Sequence, residues 1–168
     1  MHAEVFDWVE NSFRKWREIH PNDNYKVIEI GSLNINGTIR IIFADAKNYC
    51  GVDIQTGPGV DLIADSAYWL APEPVDIIVC CEVFEHAQEW RRIVEMTYKN
   101  LKPGGIFIGT AAGEGRFPHS AIDENPIRDW EYYANIGARD MRWTLERNNF
   151  KNVIVNTINN DVRWSANK

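Results

Sequence analysis

The sequence predicts a three-layer α/β fold: a mostly parallel sheet covered by helices on both faces and closed by a C-terminal antiparallel hairpin. Three observations carry that expectation. Short apolar runs at Val27–Ile30, Tyr49–Asp53 and Val75–Cys81 read as strands, and an uninterrupted run such as the last needs cover on both faces of a parallel sheet. Apolar residues recur at helical spacing in Val5, Val9, Phe13 and Trp16 and again in Trp90, Ile93, Val94 and Leu101. Asn159-Asn160 separates two strand-like segments, as a tight hairpin turn requires. The 168 residues fit a single domain, residues 1–168, large enough to bury roughly 70% of the unfolded surface.

In chain order, a helix over residues 3–19, within an N-terminal segment 1–20, ends before Pro21-Asn-Asp-Asn24. The first strand covers 26–31. Residues 37–44 read as a short helix, although Ile39, Ile41, Ile42 and Phe43 also suit a strand. A strand at 48–53 is followed by the turn Gln55-Thr-Gly-Pro-Gly59, which lacks the G-x-x-x-x-G-K-[ST] spacing of a phosphate loop, and then by a strand at 60–65. The strand at 75–81 leads to a helix that Lys102-Pro-Gly-Gly105 stops before a strand at 106–110. A long loop precedes a helix at 137–149, and strands at 150–158 and 161–166 form the hairpin.

A net charge of -6 disfavours nucleic acid, whose binding depends on Lys and Arg neutralising phosphates. The tight basic clusters, Arg14-Lys-Trp-Arg17 and Arg91-Arg92, fall on expected helices, where a solvated face accounts for them. No window approaches the ~20 apolar residues of a membrane span, and the N-terminus lacks signal-peptide features, so a cytoplasmic location is expected. Cys50, Cys80 and Cys81 lie in or beside strand-like runs without C-x-x-C spacing or paired histidines, which reads as buried free thiols.

The most informative local pattern is Val27-Ile-Glu-Ile-Gly-Ser-Leu-Asn-Ile-Asn-Gly37 with Asp53, 22 positions after Gly31, at the tip of the next strand. A strand ending in glycine turns sharply and brings backbone N–H groups to a ligand, while an acid on the neighbouring strand tip can accept both ribose hydroxyls. A dinucleotide site needs three glycines for its pyrophosphate, and only Gly31 and Gly37 are present here. An adenosine cofactor without phosphates fits better.

Four blocks in this order resemble the class I S-adenosylmethionine-dependent methyltransferases, in particular their small-molecule branch: Val27-Ile-Glu-Ile-Gly-Ser32, Gly51-Val-Asp-Ile54, Val75-Asp-Ile-Ile-Val-Cys-Cys-Glu-Val-Phe-Glu-His86 and Leu101-Lys-Pro-Gly-Gly-Ile-Phe107. The resemblance is strong over residues 26–112 and looser beyond, and it implies a Rossmann-like methyltransferase sheet with S-adenosyl-L-methionine as cofactor. It implies that Glu29, Gly31 and Ser32 form the first cofactor motif, Glu29 orienting the turn and the methionine end. The following loop carries fewer glycines than the family pattern, so the cofactor turn is shifted and Gly37 belongs to it. Asp53 is then the ribose ligand and Ile54 packs on the adenine. Asp65 with Ser66 meets the adenine edge, though Asp65 also suits a helix N-cap. Cys81 and Glu82 stand where the methyl group faces the acceptor.

Methyl transfer is an in-line displacement from an activated sulfonium carbon, so the protein chiefly aligns the reactants. A general base is needed only for an acceptor that still carries its proton. The segment after the fourth strand lacks both the Asn/Asp-Pro-Pro-aromatic block of DNA amino methylation and the Pro-Cys of cytosine methylation, which leaves a small molecule methylated on oxygen or nitrogen. The acceptor wall is expected in residues 113–136, with His119 as base and Trp130, Tyr132 and Tyr133 lining a flat acceptor. His86 resembles a histidine of the small-molecule branch. With Glu82 it supplies two ligands, too few for a metal, so no metal is expected. Two alternatives stay open: a methyltransferase-like assembly subunit, and a nicotinamide oxidoreductase suggested by Tyr98-Lys-Asn-Leu-Lys102.

Overall fold

Strand and helix periodicities sort the chain into the following elements of the computed structural model. Helix α1 (Ala3–Ile19) is followed by β1 (Lys26–Ile30), β2 (Asn48–Asp53), β3 (Leu62–Ile63), β4 (Val75–Cys81), α2 (Trp90–Asn100), β5 (Leu101–Ala112), α3 (Ala138–Arg147), β6 (Lys151–Ile158) and β7 (Asp161–Asn167). Single 3-10 turns occupy Arg40–Phe43 and Phe84–His86. The structure describes residues 3–21, 24–123 and 125–168; the first two positions of the expected N-terminal segment, the middle of the Pro21–Asn24 turn and Glu124 of the expected acceptor segment lie outside the described residues.

The seven strands form one sheet in the order β3-β2-β1-β4-β5-β7-β6. Pairing is parallel from β3 through β5 and antiparallel for β5–β7 and β6–β7. Because side chains alternate along a strand, Val27 and Ile77 face the layer of α1 with Val9 and Trp16, while Ile28 and Ile78 face the opposite layer with Val94 and Leu145. Gly109 carries no side chain because Trp164 lies across it: a Cβ there would come within 2.2 Å of the indole. Trp164 in turn stacks on Phe84, with ring centroids 5.2 Å apart, and so anchors the turn that bears Glu85 and His86.

The expected elements are present, with changes at their ends. The hairpin turns through Asn159 and Asn160, both at positive φ (53° and 65°), which matches the right-handed twist of the strands. The strand expected at 60–65 shrinks to Leu62–Ile63, since Asp61 instead accepts from Gly51 N and bonds Arg40. The helix expected at 37–44 is a 3-10 turn. Lys102-Pro-Gly-Gly105 does end α2, yet β5 already begins at Leu101: Val75 pairs with Leu101 and Ile77 with Ile106, so these residues bulge out of the strand, pinned by Lys102 on Asp76 at 2.8 Å. None of the described helices is long and apolar enough to cross a membrane.

Candidate active site

Strand order reverses at β1, which lies between β2 and β4, so a crevice opens at the carboxyl ends of these strands. A cleft of about 480 Å³ occupies it. One end is lined by Glu29, Gly31, Ser32, Gly37, Asp53, Ile54, Asp65 and Ser66, the other by Cys81, Glu82, His86, Arg116 and His119. Among the described residues its walls carry five carboxyl groups, Glu29, Asp53, Asp65, Glu82 and Glu89, against the one guanidinium of Arg116. That field repels a pyrophosphate and suits a cationic ligand.

At the first end, Gly31 has a φ of 74°, and a Cβ there would strike Val83 at 2.1 Å, so glycine alone keeps this turn. The chain after it runs irregularly to the 3-10 turn and opens no α-helix, so no helix N-terminus is available for phosphate. Asp53 accepts from Leu33 N at 3.1 Å and Gln55 N at 3.0 Å, which fixes its carboxylate and leaves lone pairs for two hydroxyls. Ile54, 67% exposed although large and apolar, borders the cleft. Asp65 accepts from Ala67 N through its side chain and from Trp69 N through its carbonyl, so it caps the following turn while also lining the cleft. Glu29 is buried and accepts from the Tyr49 hydroxyl at 2.7 Å; burial, only partly offset by that bond, raises its pKa to about 7. The buried Ser32 hydroxyl has no hydrogen-bond partner among the described residues. An orphaned hydroxyl, a side-chain-free turn and a positioned carboxylate fit an adenosyl cofactor.

At the second end, Glu82 holds a φ of 55°, unusual for a non-glycine residue and common where a functional side chain is aimed. Its carboxylate accepts from the Thr110 hydroxyl at 2.8 Å and stands 3.8 Å from Arg116, which also pairs with Asp161. Burial, then the charges of Glu82 and Glu29, push the Cys81 thiol well up, so it is no nucleophile. His86, His119 and Tyr133 form a triangle of edge-on rings with centroids 5.0–5.4 Å apart. Burial and then His119 pull the His86 imidazole down to about 4, so it is neutral near pH 7. Glu85, fully buried, accepts from Ala112 N and has its pKa raised by burial and then by Glu82.

The structure thus brings the expected cofactor residues together with Glu82, His86 and His119. None of Trp130, Tyr132 and Tyr133 lines the cleft: Tyr133 packs against the His86 and His119 rings that do, and Arg128 stacks on the Trp130 ring, which is 71% exposed. Sequence reasoning assigned no role to Tyr49, Glu85 or Arg116. No local pattern marks them, since each acts on a partner at least 20 positions away or across the sheet. Tyr98 packs on Phe150 and Lys102 pairs with Asp76, both away from the cleft, so the Tyr-x-x-x-Lys spacing assembles no site.

A parallel sheet with this strand order and a closing hairpin, holding a carboxylate-rich cleft at its switch point, defines a class I methyltransferase architecture. Residues 6–155 match the family of methyltransferase domains, and the chain belongs to that family. Solved structures agree on the fold. An S-adenosylmethionine-dependent methyltransferase from Clostridium acetobutylicum ATCC 824 superposes with a TM-score of 0.66 at 14% identity, covering 95% of this chain and 90% of its own. The sugar N-methyltransferase KedS8 from Streptoalloteichus sp ATCC 53650 gives 0.72 at 13% identity, covering 99% and 87%. Phosphoethanolamine N-methyltransferase 2 of Haemonchus contortus, solved with S-adenosyl-L-methionine, gives 0.66 at 13%, covering 94% and 52%. No curated protein matches the chain in sequence.

Proposed function

We propose that this protein transfers the methyl group of S-adenosyl-L-methionine to an oxygen or nitrogen of a small-molecule acceptor held beneath residues 113–136. The observation that carries the reading is the continuity of one cleft from Asp53 and Asp65 to Glu82 and His119. When bound, the cofactor supplies a sulfonium-activated methyl group.

The protein's share is to orient and to handle a proton. Asp53 would accept the ribose hydroxyls, Ile54 would cover the adenine, Asp65 and Ser66 would meet its edge, and the Glu29–Gly37 turn would take the amino-acid end. Glu82, aimed by its backbone, would place negative charge beside the cationic centre. His119 Nδ1 lies 3.2 Å from the Phe117 carbonyl, which can only accept; the ring proton sits on Nδ1, and Nε2 is left to take a proton from the acceptor. The acceptor wall narrows to His86 and His119, with Tyr133 packed against both rings. Three free thiols, one of them Cys81 in the cleft, suit a reducing cytoplasmic setting.

Calorimetric titration with S-adenosylmethionine, S-adenosylhomocysteine and NAD tests the cofactor. Binding of the first two and not of NAD is expected, and preference for NAD overturns the reading. Radiolabelled methyl transfer to a panel of small hydroxyl and amine acceptors separates an enzyme from a binding subunit.

A further inference from the structure

Glu85, His86 and His119 are brought together by two different devices. The first two follow from the Phe84 anchor on Trp164, and the third comes from the segment after β5. One donor atom from each lies within 4.8 Å of the other two. Glu85 is entirely buried, and while its Oε1 accepts from Ala112 N at 3.0 Å, its Oε2 has no partner among the described residues. His86 Nδ1 is likewise buried without a partner among them. Arg116, the cationic side chain lining this cleft, pairs with Asp161. A buried carboxylate oxygen and an imidazole nitrogen left unsatisfied side by side are costly unless a ligand completes them.

We propose that Glu85, His86 and His119 bind a divalent transition-metal cation at the acceptor end of the cleft.

The donor set selects the ion. Two imidazoles with one carboxylate suit first-row metals such as zinc, manganese or cobalt better than magnesium or calcium, which prefer all-oxygen shells. Three protein ligands leave at least one position open, as at catalytic sites. The supporting bonds are in place: the Phe117 carbonyl fixes the His119 tautomer with Nε2 as donor, Ala112 N orients Glu85, and Tyr133 packs against both rings. Donor atoms around a tetrahedral ion stand about 3.3 Å apart, so the set must contract by up to roughly 1.5 Å, a shift available to the loop-borne His119.

Metal binding does not depend on the methyl-transfer reading, but within that reading it reassigns His119. An acceptor hydroxyl on the open position is held and acidified by the cation, releasing its proton to water, and Nε2 of His119 is a ligand instead of a base.

The test is titration of the chelator-treated full-length protein with Co²⁺, followed by visible absorption, beside a separate S-adenosylhomocysteine titration without metal. One saturable equivalent is expected. His119→Ala weakens it at least tenfold, Glu85→Gln does likewise, and His20→Ala, at a histidine stacked on Trp16 far from the cleft, leaves it unchanged. Should Glu85→Gln fail to fold, His119→Ala decides alone. Absence of saturation into the millimolar range, or equal Co²⁺ affinity in His119→Ala and wild type, overturns the site. Co²⁺ failure with intact S-adenosylhomocysteine binding overturns the metal alone; the reverse pattern overturns the methyltransferase reading alone.

Discussion

The two ends of the cleft are built by different means. The cofactor end rests on backbone: β1, flanked by β2 and β4, fixes Glu29, Gly31 and Asp53 through continuous parallel ladders, with Leu33 N and Gln55 N locking the acid. The acceptor end rests on side chains. Between Gly113 and Ile136 the described residues make few backbone bonds, and the segment's shape depends on Arg128, which reaches Ser120, Asp123 and Glu131, and on the His86–His119–Tyr133 triangle. In the function proposed above, a cofactor common to a family would be met by rigid sheet geometry, and a variable acceptor by a surface that side-chain changes can reshape.

Damage to the rigid end should therefore show in binding, and damage to the other end in turnover or local stability. The largest effect is expected for Asp53→Ala. Loss of two charge-assisted hydrogen bonds, about 3 kcal/mol, weakens S-adenosylhomocysteine binding on the order of 100-fold by calorimetry. An affinity drop below threefold would break the ribose assignment. Next is His119→Ala, expected to lower kcat by about 100-fold while cofactor affinity moves less than about threefold. Equal losses in both would merge the two ends.

Glu29 gives a pH test. Its folded-state pKa of about 7 exceeds the 4.5 of an ordinary glutamate. Between those values the folded protein holds a proton that the unfolded chain has released, so stability falls as pH rises through the window and is flat below it. Glu29→Gln should remove a decline of about 3 kcal/mol between pH 4.5 and 7.5, measured by urea unfolding without ligand. An unchanged slope would mean that Glu29 ionises freely in the fold. The smallest effect belongs to Arg128→Ala. Proteolytic nicking within 113–136 should speed up several-fold while the melting temperature moves by less than about 2 °C.

The same division explains what was legible in the sequence. Gly31, Asp53 and Asp65 announce themselves because strand ends and turns are local events, and Asn159-Asn160 marks its hairpin for the same reason. The bulge at Lys102–Gly105 was not legible as part of a strand, since its pairing depends on Asp76 across the sheet. Trp130 and Tyr133 were indistinguishable as loop aromatics; only the fold places one outside the cleft and the other against His86. Glu85 stood in plain view within the fourth strand's block, yet nothing in its neighbours announces that its partners are Ala112, Ala134 and His119.

Glu85 also grips both feet of that segment, accepting from Ala112 N with its side chain and from Ala134 N with its carbonyl at 2.8 Å. The excursion between them is thus closed at its base by one residue, independently of its length. Closing a loop twice as long costs only about 0.6 kcal/mol more. Chains sharing this staple can lengthen, shorten or exchange the segment without disturbing the sheet, which makes the proposed acceptor-facing segment a replaceable insert.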